Sequence, residues 1–430
     1  MKRSLCFLLA AVASVSAAVD ASGARELSLT EALGRAEQHS PRLKAARLQE
    51  EAAHAGVGAA ESGYAPSLAA EGVDSWGFPG SSGALGVGGL MGSPYRSGAS
   101  AGLVATDTLF DFGRTYSNVK TAEALEAFQH EGIGIDKYSV DLDVLQTFYA
   151  CSRYRSEHEA WDGLRAEIEI VADEVAKYVA TGQRSVVDKY LALAQVEEAR
   201  TDRNYLQSRM TSTVARLALL TGSPAAGLSC PALPGLAESV PLSPTGDANP
   251  YILRSQSELD LARTRLSRAK ADYLPKVVGV ASVGTMERAR LVNGADYSGG
   301  VGIVLPLFDG LGTVRRVGQA RAELDAKTQE LEAVRLQVAE MNARYDEVVD
   351  ASRARLEHLQ REQRLAEDGF GVAKGRYFKL QGTLVDLREA LRNLGRIETD
   401  MRDTQANLLE AAGSKALLNG SWTTKPEGGK

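Results

Sequence analysis

The sequence predicts a mostly helical α+β chain in which very long coiled-coil helices are joined to two pairs of β-strands. Three observations carry this reading: an internal duplication, two proline-free stretches of exceptional length, and short alternating segments at the same place in each copy. Ser40-Pro41 recurs as Asn249-Pro250 and Tyr64-Ala65-Pro66 as Tyr273-Leu274-Pro275, both at a spacing of 209. Leu109-Phe110-Asp111 recurs as Leu307-Phe308-Asp309 at a spacing of 198, so the first copy carries eleven extra residues between those landmarks. The copies span 19–222 and 251–412, with a Pro- and Gly-rich linker at 223–250 and a tail at 413–430.

The chain opens with a targeting segment. Lys2 and Arg3 form a basic end, Leu5 to Val15 is apolar but too short to span a membrane, and Val15-Ser16-Ala17 has the small residues of a cleavage site. Residues 1–18 are therefore read as a signal peptide, and Cys6 lies inside its apolar stretch without the surroundings of a lipid-attachment site. Export places Cys151 and Cys230 in an oxidising compartment, where a disulfide is permitted but is not specified by two residues so far apart in sequence.

From Leu29 to Ser62 the chain is rich in Ala, Leu, Glu and Arg, which predicts a helix interrupted at Ser40-Pro41, with Thr30 as a candidate cap. Pro66 ends it. Ser67–Trp76 and Ala99–Thr108 then read as a strand pair within 67–108, and the Gly- and Ser-rich Phe78–Gly98 between them as a long exposed loop. Copy two repeats the pair at 277–307, as Val277–Thr285 and Tyr297–Leu307. Alternation places Val301 and Leu305 on one face, expected to meet lipid, and Gly300 and Gly302 on the other. Four strands cannot close a barrel alone, so closure requires several chains.

Each strand pair is followed by a long helix, 113–180 and 312–379, and a return helix, 185–222 and 384–412. At 1.5 Å per residue each long helix extends about 100 Å, far beyond a usual globular helix. Val317, Ala320, Leu324, Lys327, Leu331, Val334, Val338, Met341, Tyr345 and Val348 follow alternating spacings of three and four, a coiled-coil seam. The stripe restarts one residue later at Val349 and continues through Leu356, Leu359, Ala366, Phe370, Ala373 and Tyr377. Such a drift turns the seam around the helix toward a second neighbour.

Composition excludes several classes. With 44% hydrophobic and 24% charged residues there is no apolar run beyond the leader that forms a helical span, though a β-barrel escapes this test. Removing Lys2 and Arg3 takes the formal net charge from −6 to −8, which argues against a nucleic-acid partner. His39, His54, His130, His158 and His358 lack metal-ligand spacing. There is no phosphate loop or nucleophile–base arrangement; Gly80–Gly92 lacks the context and the Lys-Ser/Thr ending of a phosphate site. No enzyme activity, metal site or cofactor is expected.

The order of landmarks in each half resembles the TolC-type outer-membrane efflux protein family. That order is a Leu-x-x-Ala-Leu helix start, Ser-Pro or Asn-Pro, Tyr-x-Pro entering a strand, Leu-Phe-Asp-Phe-Gly or Pro-Leu-Phe-Asp-Gly leaving one, and a long helix ending near a Tyr-to-Asp turn. The resemblance covers nearly all of the chain after the leader. It implies a homotrimer whose protomers complete a twelve-stranded β-barrel in the outer membrane of a Gram-negative-type cell, above a helical tunnel in the periplasm. The linker and the tail beyond Gly413 are candidates for an equatorial belt. The implied function is an export duct of a tripartite efflux or type I secretion system, linked by a periplasmic adaptor to an inner-membrane pump. A coiled-coil scaffold or adhesin without a channel accounts for the heptads but leaves the strand pairs and the duplication unexplained.

The resemblance also places the gate at the helix–helix turns. These are Tyr178 to Asp188 in copy one and Tyr377 to Glu389 in copy two. By position Tyr377 matches the constricting aromatic, Asp188 the carboxylate that receives links, and Asp386 with Glu389 the acidic lining. Threefold symmetry would make two carboxylate rings whose repulsion raises some pKa values and favours cations. Copy two has Leu380 where the family usually has a turn glycine and carries Gly382 instead. Copy one has one extra residue between Tyr178 and its turn glycine Gly182. Arg184 offers a substitute cation, and whether Arg184 or Arg388 latches the gate stays open.

Overall fold

The computed structural model describes residues 25–75, 98–234, 249–285 and 296–420. The signal peptide, most of the Phe78–Gly98 loop, the linker from Gly235 to Ala248 and the last ten residues lie outside them.

In chain order the elements are β1 (Arg25–Glu26), α1 (Leu29–His39), α2 (Pro41–Glu61), β2 (Ser67–Ser75), β3 (Gly98–Phe110), α3 (Arg114–Ala180) and α4 (Val186–Thr221). There follow β4 (Leu228–Ser229), α5 (Pro250–Ala271), β5 (Lys276–Thr285), β6 (Asp296–Val304), α6 (Gly312–Phe378) and α7 (Leu384–Leu418). The α1–α2 break falls at Ser40, whose side chain caps α2 while Pro41 occupies its first turn, where a missing N–H costs nothing. Ser28, not Thr30, caps α1, its hydroxyl accepting from the Glu31 N–H.

The four long strands form one antiparallel sheet in the order β2-β3-β5-β6, so among the described residues β2 and β6 each keep an unpaired edge. The register places Leu68, Leu103, Val283, Tyr297, Val301 and Ile303 on one face. Of these, Leu68, Leu103, Tyr297, Val301 and Ile303 are exposed large apolar side chains. Thr106, Ser282, Ser298, Gly300 and Gly302 share the other face, where the Ser282 and Ser298 hydroxyls are 2.6 Å apart. Gly102 and Gly284 face one another across β3 and β5, and a Cβ on either would lie 2.7 or 2.5 Å from the partner strand's backbone oxygen. The predicted final strand stops at Val304, three residues before Leu307, because Pro306 cannot donate to a ladder. Leu305 therefore lies past the strand, and only Val301 of the predicted lipid-facing pair belongs to it.

Each Leu-Phe-Asp motif converts strand into helix. The Asp111 carboxylate accepts from the N–H groups of Gly113, Arg114 and Thr115, and Asp309 accepts from Thr313 N at 2.7 Å and Thr313 Oγ1 at 2.6 Å. These are the donors a helix start leaves without internal partners. Two left-handed residues make each corner, Phe112 and Gly113 in copy one, Gly310 and Leu311 in copy two.

Near the sheet the helices lie in the order α2-α3-α5-α6, matching the strands. Arg42 to Asp136, His130 to Glu50 and His54 to Glu126 tie α2 to α3. Farther away, α3 packs on α4 and α7, and α6 on α7, giving two antiparallel helical hairpins side by side. The α6 seam behaves as its heptads demand: Ala320, Leu331 and Val338 are buried, Val348 is exposed, and Val349, Leu356, Leu359, Ala366 and Tyr377 are buried.

α7 does not stop at Ala412 but continues through Leu418, so the predicted tail begins six residues too early. Gly413, the first residue of the predicted tail, packs inside this helix, where a Cβ would stand 2.7 Å from Leu145 Cδ1. Leu409, Leu417 and Leu418 join Leu33, Val144, Leu145, Phe148 and Leu217 in the core that unites α1, α3, α4 and α7. After α4, residues 223–234 cross this core as a strap. β4 pairs with β1, Cys230 forms a disulfide with Cys151 of α3, and Gln405 of α7 donates to the Pro234 carbonyl at 2.8 Å. Two buried carboxylates stand nearby on α3: burial pushes both Asp141 and Glu157 up to about 7.

Candidate functional site

The two hairpin turns superimpose residue for residue at the spacing of 198 that separates the Leu-Phe-Asp motifs. α3 ends at Ala180 and α6 at Phe378, Thr181 and Lys379 are the C-caps, and Ser185 and Thr383 are the N-caps of α4 and α7. No residue is inserted in copy one. Tyr178 therefore corresponds to Arg376, and Tyr377 to Val179, which corrects the pairing expected from the two tyrosines. Gly182 and Leu380 hold the same left-handed position, with φ of 73° and 64°. Gly382 occupies the place of Arg184. A leucine at positive φ is disfavoured by about 1 kcal/mol, which is why a glycine was expected there.

Tyr377 is fully buried beneath both turns, in a cluster with Val175, Ala192, Leu384, Leu387 and Leu391. Its hydroxyl donates to Asp188 Oδ2 at 2.9 Å, crossing from the second hairpin to the first. The Arg184 guanidinium lies 4.1 Å from the centre of the Tyr377 ring and donates to the Tyr377 backbone carbonyl. Burial, and then the bond to Asp188, raise the pKa of the Tyr377 phenol. Arg184, Tyr377 and Asp188 thus form one assembly within a single chain, and Arg184 rather than Arg388 is its cation. Arg388 makes no hydrogen bond or ion pair among the described residues. Tyr178 is displaced to the neighbouring ring, its centroid 5.5 Å from that of Phe378.

Equivalent aspartates do different work in the two copies. Asp188 and Asp386 both stand three residues after an N-cap. Asp188 reaches across to Tyr377, whereas Asp386 bends back to Thr383, accepting from its N–H at 3.2 Å and its hydroxyl at 2.8 Å. This capping box starts α7. Within one protomer the Thr383 bonds hold the Asp386 carboxyl below the usual carboxylate range. Glu389 lies one turn further on, exposed. Asp386 is exposed as well, so the two acids remain available to solvent at the turn.

Two cross-hairpin ion pairs near the turns were not anticipated: Lys374 to Glu167 at 2.5 Å and Arg392 to Glu198 at 2.5 Å. Phe378, tilted against Tyr178 and edge-to-face with Tyr377, was also missed. Carrying the spacing of 198 through the turns would have aligned Arg184 with Gly382 and revealed that one copy supplies the cation and the other the aromatic.

Residues 32–223 and 246–424 match the family described as outer membrane efflux protein. The chain belongs to the outer membrane efflux protein family. Among solved structures, the outer membrane protein VceC of Vibrio cholerae has a TM-score of 0.77 at 17% identity, over 91% of this chain and 96% of that one. CusC has a TM-score of 0.79 at 18% identity, over 91% of each chain. At such identity the likeness establishes the fold: a long helical barrel with strands. The nickel-cobalt-cadmium resistance protein NccC of Alcaligenes xylosoxydans xylosoxydans is 29% identical over 164 residues. That match spans only 37% of NccC and 36% of this chain. Channel proteins, not enzymes, are the company this chain keeps.

Proposed function

We propose that the chain is one protomer of a trimeric outer-membrane export duct, with its sheet in the membrane and its helices in the periplasm. The single observation that carries this is the open sheet. Four antiparallel strands have one face with exposed Leu68, Leu103, Tyr297, Val301 and Ile303, an opposite face that mixes Thr106, Ser282, Ser298, Gly300 and Gly302 with Val104, Val278 and Val280, and, among the described residues, an unpaired edge on either side. An isolated sheet of this kind is an unmet demand for backbone partners in a membrane. Three copies joined edge to edge supply twelve strands, enough to close a barrel around a lumen. The helices continue the strand order downward, so the same symmetry closes a tunnel.

At the far end of that tunnel the Arg184–Tyr377–Asp188 assembly fastens the two hairpins of each protomer together. Asp386 and Glu389 form carboxylate rings at the entrance. A periplasmic adaptor and an inner-membrane pump deliver cargo there. Divalent transition-metal cations are the cargo class to examine first, because the entrance is acidic and NccC is named for resistance to nickel, cobalt and cadmium.

The test is the native mass of the protein extracted by detergent from outer membranes. A species three times the processed chain supports the duct; a detergent-independent soluble monomer or dimer would refute it and favour a coiled-coil scaffold.

A further inference from the structure

Where the helices meet the sheet, a groove of about 530 Å³ runs across the first turns of α3 and α6 and the last turns of α5. Arg265, Arg268 and Arg316 line it, with Asn118 and Gln319 on its walls and Glu323 as its one carboxylate. The groove is positively charged on a chain that is acidic overall.

The acids of the junction are already taken. Asp111 caps α3 and Asp309 caps α6, as described above. Asp309 also accepts from Arg316 at 3.3 Å, and Asp272 lies 3.7 Å from Arg316 and 3.8 Å from Arg114. Arg265 is left with no hydrogen bond or ion pair among the described residues. Arg268 has only the neutral Asn118 Oδ1. These two guanidiniums stand three residues apart on one helical face, where like charges repel, and no acid lies three or four residues from Arg265. Glu323, which accepts from Gln319 Nε2 at 2.8 Å on α6 itself, is one carboxylate against the three guanidiniums of the lining. The bond from Arg268 leaves the Asn118 amide N–H groups as further donors.

Two planar, forked guanidiniums and a neutral amide lining one groove supply the several N–H donors that the oxygens of a tetrahedral phosphate group accept. We propose that this groove binds a phosphate-bearing ligand through Arg265 and Arg268. Its position fits a phosphodiester headgroup. Arg316 is four residues past the start of α6 and Arg268 three before the end of α5, so the groove lies within about one to two helical turns, some 6–12 Å, of the sheet. That is the depth of a headgroup layer beneath a membrane-embedded barrel. The lipid source rests on the barrel reading; binding of free phosphate does not.

The experiment is native mass spectrometry of the detergent-solubilised full-length protein titrated with phosphatidylglycerol, with calorimetry using inorganic phosphate as the second arm. Wild type, Arg265→Gln/Arg268→Gln and the control Arg263→Gln, whose arginine pairs with Asp260 outside the groove, are compared. Loss of roughly tenfold in affinity per guanidinium is expected in the double variant and none in the control. Retention of phosphatidylglycerol without inorganic phosphate identifies a lipid site, and binding of both identifies the phosphate group itself. Binding of neither, or equal binding by the double variant, overturns the proposal. The oligomeric mass is read in the same spectra, so a monomer that still binds phosphate would separate this inference from the trimeric reading.

Discussion

Replacing Tyr377 by Phe removes one hydroxyl from the turn assembly and leaves the ring in its pocket. The lost bond joins a phenol to a carboxylate, an interaction worth about 1.5–3 kcal/mol when fully buried. Asp188 is only half-buried and can regain water, which lowers the expected effect to about 1 kcal/mol per protomer. The ring stays under Arg184, so the cation–π contact survives. If three protomers open together, the closed state loses about 3 kcal/mol, a shift of about 150-fold toward open. Single-channel recording in planar bilayers reads this directly as increased open probability or conductance. Arg184→Gln should act in the same direction by removing a cation–π contact worth about 1–2 kcal/mol, and the two changes should be less than additive because they share Tyr377. Wild-type closure in both variants would refute the assignment of this assembly as the latch. Opening by Arg184→Gln alone would show that the Tyr377–Asp188 bond contributes nothing.

At the entrance, Asp386→Ala should lower the thermal midpoint by removing the α7 capping box, worth about 1 kcal/mol, while Glu389→Gln leaves it unchanged; both should reduce cation over anion permeability in reversal-potential measurements. Cys151→Ser should destabilise the helical core by about 4.5 kcal/mol on the loop-closure argument for a sequence separation of 79, seen as an earlier melt by circular dichroism, and a reducing agent should reproduce it. Asp141 is raised to about 7 by burial, so the folded chain holds its proton more tightly than the unfolded chain. Stability from this group is therefore greatest below about pH 4 and is lost as pH rises toward 7, so Asp141→Asn should raise the melting temperature at pH 8 more than at pH 5. Val301→Asp, on the apolar sheet face, should block recovery from the outer membrane, whereas Gly300→Asp on the opposite face should be milder; equal recovery would reverse the face assignment.

Much of the architecture was legible in the sequence because it is written in periodicity. The seam switch from Val348 to Val349, the strand pairs and the length of α3 and α6 follow from local spacing, which needs no partner to be read. The duplication added the order of elements, and the motif order added the family. What failed was local too. Ser28 rather than Thr30 caps α1, and the tail was placed from Gly413, which lies inside α7, where its missing Cβ makes room for Leu145 from a helix far away in sequence.

The turn assembly shows the boundary between the two kinds of information. The sequence determined the residue types near each turn, including Tyr377, Asp188, Arg184 and Asp386, and the fact that two long helices must reverse there. Only the tertiary structure decided which of them meet. Asp188 and Asp386 occupy the same place after an N-cap, yet one serves Tyr377 and the other its own helix, because only the first faces an aromatic from the opposite hairpin. The Cys151–Cys230 disulfide was likewise invisible until folding brought Cα atoms 79 residues apart in sequence to within 5.2 Å. Spacing along a chain specifies which face a side chain occupies, and packing between chain-distant faces selects its partner.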